Sequence, residues 1–176
     1  MLGRARRDIA RDDALRSLQH AHEETVLALA TALELRDDET GGHARRVTEE
    51  LADDPCLRYG FLLHDIGKIG IPDAILQKPG PLTREETEQM RMHTALGVQL
   101  VSNVAHLRGV AQDVIAYHHE RWDGSGYPWR YRGDRIPVAA RIFAVADAFD
   151  AMTNDRPYQE ALDWRDALTE IQGASG

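Results

Sequence analysis

Five histidines and two aspartates occupy positions where they could bind metal ions, although each taken alone is more often structural. They include a His-Asp pair at 64–65, a His-His-Glu run at 118–120 and Asp147, an acid within an otherwise apolar segment. An imidazole supplies one nitrogen ligand, and a carboxylate supplies two oxygens. The full set is His43, His64, Asp65, His93, His118, His119 and Asp147.

This set predicts a centre that holds more than one ion. Seven ligands exceed the four of a tetrahedral zinc site, and their mixture of nitrogen and oxygen suits iron or manganese. Neighbouring side chains on a helix point about 100° apart, so His118 and His119 suit two adjacent ions better than one. Two such ions can activate water and hold both oxygens of an in-line phosphoryl displacement. The predicted chemistry is hydrolysis of a phosphate ester.

Other catalytic classes have no matching pattern in the sequence. It contains no Walker loop and no GxGxxG motif, so a nucleotide would be a substrate rather than a cofactor. The single cysteine, Cys56, lies in a stretch without the partners of a nucleophile, and one cysteine excludes an internal disulfide.

Length and composition favour one soluble, cytoplasmic domain. The chain has 176 residues, 43% of them hydrophobic and 28% charged, which is typical of a globular protein. Charged residues interrupt its apolar stretches before the roughly 20 residues that a membrane span needs. The formal charge of −8 disfavours nucleic-acid polymers as partners but not a small anionic ligand held by a local positive centre.

Helices have to bring these histidines and acids together. Apolar residues spaced by threes and fours predict a long helix over residues 14–36. Further helices are predicted over residues 44–51, 57–65, 83–101, 110–120 and 138–152, and from about Asp163. No convincing alternating strand pattern is present, so we expect an all-α compact helical bundle of about six to seven helices. Facing helices in such a bundle can collect ligands in its core.

The long N-terminal helix has two interpretations. Its apolar positions, such as Leu15, Leu18 and Leu29, can pack on the core. They can also form a heptad stripe that makes a homodimer or joins an upstream signalling module.

The motifs resemble those of a known family. HDIGK at 64–68 resembles the signature of the HD-superfamily metal-dependent phosphohydrolases. HHERWDGSGYP at 118–128 is similar to the motif of the HD-GYP subfamily, whose members typically hydrolyse the bacterial second messenger cyclic di-GMP. The likeness runs from about Thr25 to Leu168 and implies an HD-domain-like fold.

The resemblance also implies roles for individual residues. By position, the family's metal ligands fall on the seven residues named above, with Asp65 bridging ions. Lys68 would contact the scissile phosphate and stabilise charge on the leaving oxygen, which makes Asp65 and Lys68 the expected catalytic residues. Arg156 would hold a substrate phosphate, and Tyr127 would lie in the loop beside the site and contact substrate.

One further acid bears on the number of ions. Glu39 precedes His43 by four residues, and family members with an acid there resemble three-ion sites. The alternative for Glu39 is a carboxylate at a helix end in water. The expected cofactors are therefore two or three divalent metal ions, with iron or manganese favoured.

The chain departs from the family pattern at three points. Residues 44–63, which separate the first two histidine ligands, form a shorter stretch than usual, and Gln159-Glu160 replace basic residues. The family's domain usually also continues beyond the position of Gly176. We therefore divide the chain into an N-terminal helical extension, residues 1–24, and an HD-GYP-like domain, residues 25–176, that is truncated at its C-terminus.

Two classes of function follow from the sequence. The favoured one is a metal-dependent phosphodiesterase that converts cyclic di-GMP either to pGpG alone or on to GMP. A related alternative is an HD-type hydrolase of another nucleotide phosphoester. The rival is a non-catalytic module that binds a cyclic dinucleotide or signalling proteins, and the three departures favour it. The intact ligand set favours the enzyme.

Overall fold

The structure is a computed structural model, and it describes residues 2–37, 43–49, 54–154 and 160–174. Within these ranges the chain is helical and contains no strand. The α-helices are α1 (Leu2–Asp37), α2 (His43–Glu49), α3 (Pro55–Leu62), α4 (Asp73–Leu76), α5 (Arg84–Arg91), α6 (His93–Val101), α7 (Val110–Tyr117), α8 (Val138–Thr153) and α9 (Trp164–Ala174). Short 3₁₀ turns span Ile66–Gly70, Ala105–Leu107 and Gly133–Arg135. The predicted all-α class and long N-terminal helix are confirmed.

Three helices differ from their predicted bounds at the positions that matter for the site. The predicted helix over 57–65 ends at Leu62, so His64 and Asp65 lie in the turn that follows it. The predicted helix over 83–101 is interrupted at Met92, whose N–H donates to Gln89 O, while the His93 ring takes a position 2.8 Å from Met90 O. The predicted helix over 110–120 ends at Tyr117, because the Glu120 N–H closes a tight turn onto Tyr117 O at 2.9 Å. All three differences lie beside histidines of the predicted metal set.

Two apolar clusters hold the bundle together. The larger cluster draws buried residues from α1, α2, α3, α6 and α7, from the position after α3 and from the 3₁₀ turn over Ala105–Leu107: Val26, Ala30, Ala44, Tyr59, Leu62, Leu63, Val101, Leu107, Ala111 and Ile115. The smaller cluster joins α2, α3, α7 and α8 through Val47, Phe61, Val114 and Phe143. The Phe143 ring lies 4.6 Å from the His64 ring, so the smaller cluster forms one wall of the site.

Gly67 allows the turn after the His64-Asp65 pair to lie directly on α6. A Cβ atom at Gly67 would fall 1.8 Å from His93 O and 2.5 Å from Gly97 N, so any larger residue would push the two backbones apart. This contact sets the separation between Asp65 and His93.

The C-terminal end of α1 is fastened to the same turn. The Arg36 guanidinium donates to Lys68 O at 2.8 Å, to Ile71 O at 2.7 Å and to the Asp73 carboxylate at 2.7 Å. Residues 8–22 of α1 are exposed, and burial begins at Val26. Helix α1 runs through residue 24 without interruption and marks no boundary there. The division between residues 1–24 and 25–176 stays a prediction. None of the helices described has the length and apolar character that crossing a lipid bilayer requires.

Candidate metal centre

The first half of the site joins α2, the end of α3 and α8. His43 Nε2 lies 2.8 Å from Asp147 Oδ1, and His64 Nε2 lies 3.0 Å from Asp65 Oδ2. The centroids of the His43 and His64 rings are 6.0 Å apart. Two imidazoles and two carboxylates from three separate segments therefore face one another.

The second half lies between α6 and the turn that follows α7. His93 Nε2 is 3.2 Å from Asp65 Oδ1 and 3.3 Å from His118 Nε2. Four residues each offer one ligand atom, and these four atoms lie within 4.8 Å of one another: Asp65, His93, His118 and His119. The four side chains have the spacing of ligands around a metal ion.

Asp65 belongs to both halves. Its Oδ2 atom faces His64 and its Oδ1 atom faces His93 and, at 3.6 Å, His118 Nε2. Oδ1 is also buried without a hydrogen-bond partner, which is costly for a carboxylate oxygen unless a cation compensates it. The donor set and this orphaned oxygen fit a site for divalent metal ions.

Backbone carbonyl groups orient three of the histidines. The Nδ1 atom of His64 lies 2.8 Å from Phe61 O, and the Nδ1 atom of His93 lies 2.8 Å from Met90 O. The Nδ1 atom of His118 lies 3.1 Å from Val114 O. A carbonyl can only accept, so Nδ1 carries the proton and Nε2 is the nitrogen free to bind a metal ion. The Nε2 atoms of His64, His93 and His118 all face Asp65.

The histidines of the two halves differ in their pKa values. Burial by itself lowers the pKa of His64, but the charge and hydrogen bond of Asp65, the charge of Asp147 and the Phe61 carbonyl together raise it to about 9. Burial, opposed by Asp65 and assisted by His118, lowers the pKa of His93 to about 4. Burial next to His118 and His93 lowers the pKa of His119 to about 2. His93 and His119 are therefore neutral at pH 7, which is the protonation state in which an imidazole binds a metal ion.

The acid of α8 is less buried than the sequence argument assumed. The Asp147 side chain is 42% exposed, whereas Asp150, three residues later, is buried and lies 2.5 Å from His43 Nδ1. The Asp150 carboxylate also accepts from Arg46 at 2.7 Å. Sequence reasoning missed Asp150 and Arg46, although the three-residue spacing from Asp147 and from His43 places each on the same helix face as a predicted ligand. Asp150 orients His43 as a carboxylate behind a metal-binding imidazole does.

Lys68 lies at the edge of the first half. Its ammonium contacts the Asp37 carboxylate at the end of α1 and lies 2.9 Å from Asp65 Oδ2. Sequence reasoning missed Asp37, because no local pattern links the end of α1 to a turn 31 residues later.

Tyr127 supports a histidine of the second half. Its ring lies against the His119 ring at 4.6 Å, and the Arg91 guanidinium lies 4.9 Å from the Tyr127 ring. Burial raises the pKa of Tyr127, with the charge of Asp65 adding to the shift, so the phenol stays protonated. The other predicted residues, Glu39 and Arg156, lie outside the residues that the structure describes.

Known proteins with similar sequences include phosphodiesterases. A 3'3'-cGAMP-specific phosphodiesterase 2 of Vibrio cholerae is 42% identical over 161 residues, which are 85% of this chain and 30% of that protein. A cyclic di-GMP phosphodiesterase of Thermotoga maritima is 43% identical over 155 residues, which are 81% of this chain and 42% of that protein. The chain thus spans less than half the length of these relatives.

One solved structure aligns with the chain, and one family profile matches nearly all of it. A solved structure described as Bd1817, a HDG"Y"P protein from Bdellovibrio bacteriovorus, aligns with a TM-score of 0.48 and 21% identity, over 86% of this chain and 45% of that chain. The profile of the HD domain family matches residues 7–176. The chain belongs to the HD domain family, as the resemblance of its motifs predicted.

Proposed function

We propose that this chain is a metal-dependent phosphodiesterase that hydrolyses cyclic di-GMP to pGpG and then to GMP. The observation that carries the proposal is the position of Asp65, whose two oxygens face two separate groups of histidines. A shared carboxylate of this kind is what two adjacent cations require. The cyclic dinucleotide phosphodiesterases among the relatives support the substrate class.

We assign two ions to the two halves of the site. The first would be held by His43, His64, Asp65 and Asp147, and the second by Asp65, His93, His118 and His119. Divalent ions bound there, iron or manganese by the mixture of ligands, would activate water and neutralise charge on the phosphoryl group. Together the ions would carry +4 against the −2 of Asp65 and Asp147, so the pocket would attract phosphate.

Lys68 is the residue of the chain that we assign to charge stabilisation. Its ammonium is held between Asp37 and Asp65, close to where a phosphate at the two ions would lie. A fixed cation in a partly buried position stabilises charge that develops on a leaving oxygen better than a mobile one does. Tyr127 and Arg156 remain proposed substrate contacts.

Glu39 is the proposed ligand of a third ion. Glu39→Ala should lower the ratio of metal to protein by about one ion, measured by inductively coupled plasma mass spectrometry. An unchanged ratio would support a two-ion centre and leave the phosphodiesterase assignment as it stands.

A second substrate has support from the comparisons. One relative is named as specific for 3'3'-cGAMP, which differs from cyclic di-GMP in one base. The deciding experiment incubates the metal-loaded protein with each of these two compounds and follows the linear products by chromatography. Linear pGpG from cyclic di-GMP confirms the proposal, and faster cleavage of 3'3'-cGAMP reassigns the substrate. Tight metal binding without a linear product would instead establish the non-catalytic module.

We also propose a cytoplasmic location and a homodimer through α1. Leu15, Leu18 and Leu29 are each about half exposed on this helix. Their spacing fits a heptad stripe that a second copy of the chain could cover. Other protein partners in second-messenger signalling would use the same exposed part of α1 or the loop around Tyr127.

A further inference from the structure

The loop over residues 121–135 carries an exposed aromatic side chain, Trp129, and its backbone is hydrogen-bonded to the segment of the proposed ligands His118 and His119. Trp129 is 62% exposed, and it follows Tyr127, whose ring lies against His119, by two residues. The Trp129 N–H donates to the carboxylate of Glu120, the residue directly after His119. The backbone of Trp129 is thus tied to the segment that holds two of the proposed ligands.

Glu120 holds this part of the loop in one conformation. Its side chain is only 5% exposed, and its two oxygens accept from Trp129 N at 2.7 Å and from Tyr131 N at 2.9 Å. These two amides flank Arg130, which has a φ of 56°, a left-handed conformation that is uncommon for a residue with a Cβ atom. A buried carboxylate therefore imposes an unfavourable backbone conformation, a feature that is concentrated at ligand-binding sites.

The other aromatic residues of the loop already have partners. The Tyr131 ring stacks on Tyr117 at 5.4 Å, and the Arg141 guanidinium lies 5.5 Å from the Trp122 ring. Trp129, in contrast, makes no ring or cation contact with any residue in the described part of the chain. An indole face that is open to solvent, on a backbone held by Glu120, is available for a planar ligand.

The surroundings of Trp129 favour an anionic ligand. Arg130 is exposed beside it, and Arg91 is exposed at the neighbouring Tyr127 ring. Neither arginine pairs with a carboxylate among the described residues, although the chain as a whole carries a formal charge of −8. The aromatic face of Trp129 and the positive charge of these two arginines suit a planar base attached to a phosphate.

We infer that Trp129 is a nucleobase-binding residue that stacks on a base of the nucleotide whose phosphate occupies the metal centre, and that Glu120 is its positioning residue. The inference rests on the proposed function and deepens it, because it assigns the recognition of the base. Stacking on an indole is tolerant of sequence, since every base has a π face. Trp129 would therefore strengthen binding of cyclic dinucleotides as a class.

Fluorescence tests the contact without any turnover. The variant with Trp122→Phe and Trp164→Phe leaves Trp129 as the single tryptophan of the chain. Titration of this metal-loaded variant with 5'-GMP should quench the emission, because a stacked guanine lies against the indole. Ribose 5-phosphate has the same phosphate without a base and should leave the emission unchanged. Equal responses to both compounds, or none to 5'-GMP, would overturn the inference.

Steady-state kinetics gives the second readout. Trp129→Ala should raise KM for cyclic di-GMP about tenfold and leave kcat within about twofold, while Trp129→Phe, which keeps a π face, should recover most of the loss. Trp164→Ala is the matched control, since Trp164 is 53% exposed on α9, which carries none of the site residues. An unchanged KM in Trp129→Ala would contradict the inference. A wild-type protein that leaves cyclic dinucleotides intact would contradict the proposed function, whereas the 5'-GMP titration would still decide on Trp129.

Discussion

The ammonium of Lys68 lies 2.9 Å from Asp65 Oδ2, the oxygen of that carboxylate that faces His64. The other oxygen of Asp65 faces His93. Lys68 is thereby fixed beside the one carboxylate that both halves of the site share, with 14% of its side chain exposed. Two contacts hold Lys68 there, one with Asp65 in the turn after α3 and one with Asp37 at the end of α1.

Lys68→Met should lower kcat by about 100-fold, because it removes a fixed positive charge from the place where phosphate charge develops. The metal content should stay within error of the wild type, since an ammonium is no metal ligand. Lys78→Met is the control: Lys78 pairs with Glu86 outside the site, at 2.5 Å. Wild-type kcat in the Lys68 variant would remove this residue from the mechanism.

Metal binding should release protons at pH 7. In the metal-free protein His64, with a pKa of about 9, holds a proton that a metal ion has to displace, whereas His93, with a pKa of about 4, is already neutral. The number of protons released should fall as the pH rises through 9, because His64 then loses its proton before the metal arrives. Calorimetry with Mn²⁺ in two buffers of different ionisation enthalpy measures this number. Identical heats in both buffers at pH 7 would contradict the prediction.

Gly126→Ala should destabilise the protein and disturb the loop behind Tyr127. A Cβ atom there would lie 2.4 Å from Arg121 N and 2.5 Å from His119 O, both of them backbone atoms that cannot rotate away. Overpacking of this kind costs about 1–3 kcal/mol and should lower the melting temperature by several degrees. Gly173→Ala, on α9 with open space around the new methyl group, should leave it unchanged or slightly raised. Equal melting temperatures for the two variants would show that the loop adapts.

The exposed stripe of α1 predicts a dimer. The double variant Leu15→Gln, Leu18→Gln should shift the protein from dimer to monomer in size-exclusion chromatography with light scattering, because it replaces the apolar positions of the heptad. Leu35→Gln serves as the control, since Leu35 is 81% exposed on a different face of the same helix. A wild-type protein that runs as a monomer at micromolar concentration would refute the dimer.

The periodicity of apolar residues predicted the helices well where the burial is regular. The predicted helix over 138–152 is found as Val138–Thr153, with Ala140 and Phe143 buried on the side that packs on the bundle. The ends of α5 and α7 were predicted less well. At those points the turn is set by bonds of individual groups, such as Glu120 N to Tyr117 O, which leave no periodic signal.

The types of the site residues were also readable from the sequence, but their partners were not. His43, Asp147 and Asp65 with the histidines around it could be recognised as possible metal ligands by residue type, and the structure brings them together. Asp37 and Asp150 act through contacts with Lys68 and His43 that are distant in sequence. Such pairings depend on how helices pack and cannot be derived from local patterns.

The metal content of Asp65→Ala tests the central claim most directly. Protein purified without chelator and loaded with Mn²⁺ is analysed by inductively coupled plasma mass spectrometry, with His106→Ala as the control, since His106 is exposed and stacks on His22 outside the site. Because Asp65 faces both groups of histidines, we expect at least two ions in the wild type and in the control, and a loss of both shared ions in Asp65→Ala. Two ions retained by Asp65→Ala would contradict it, because the carboxylate would then not join the two halves of the centre.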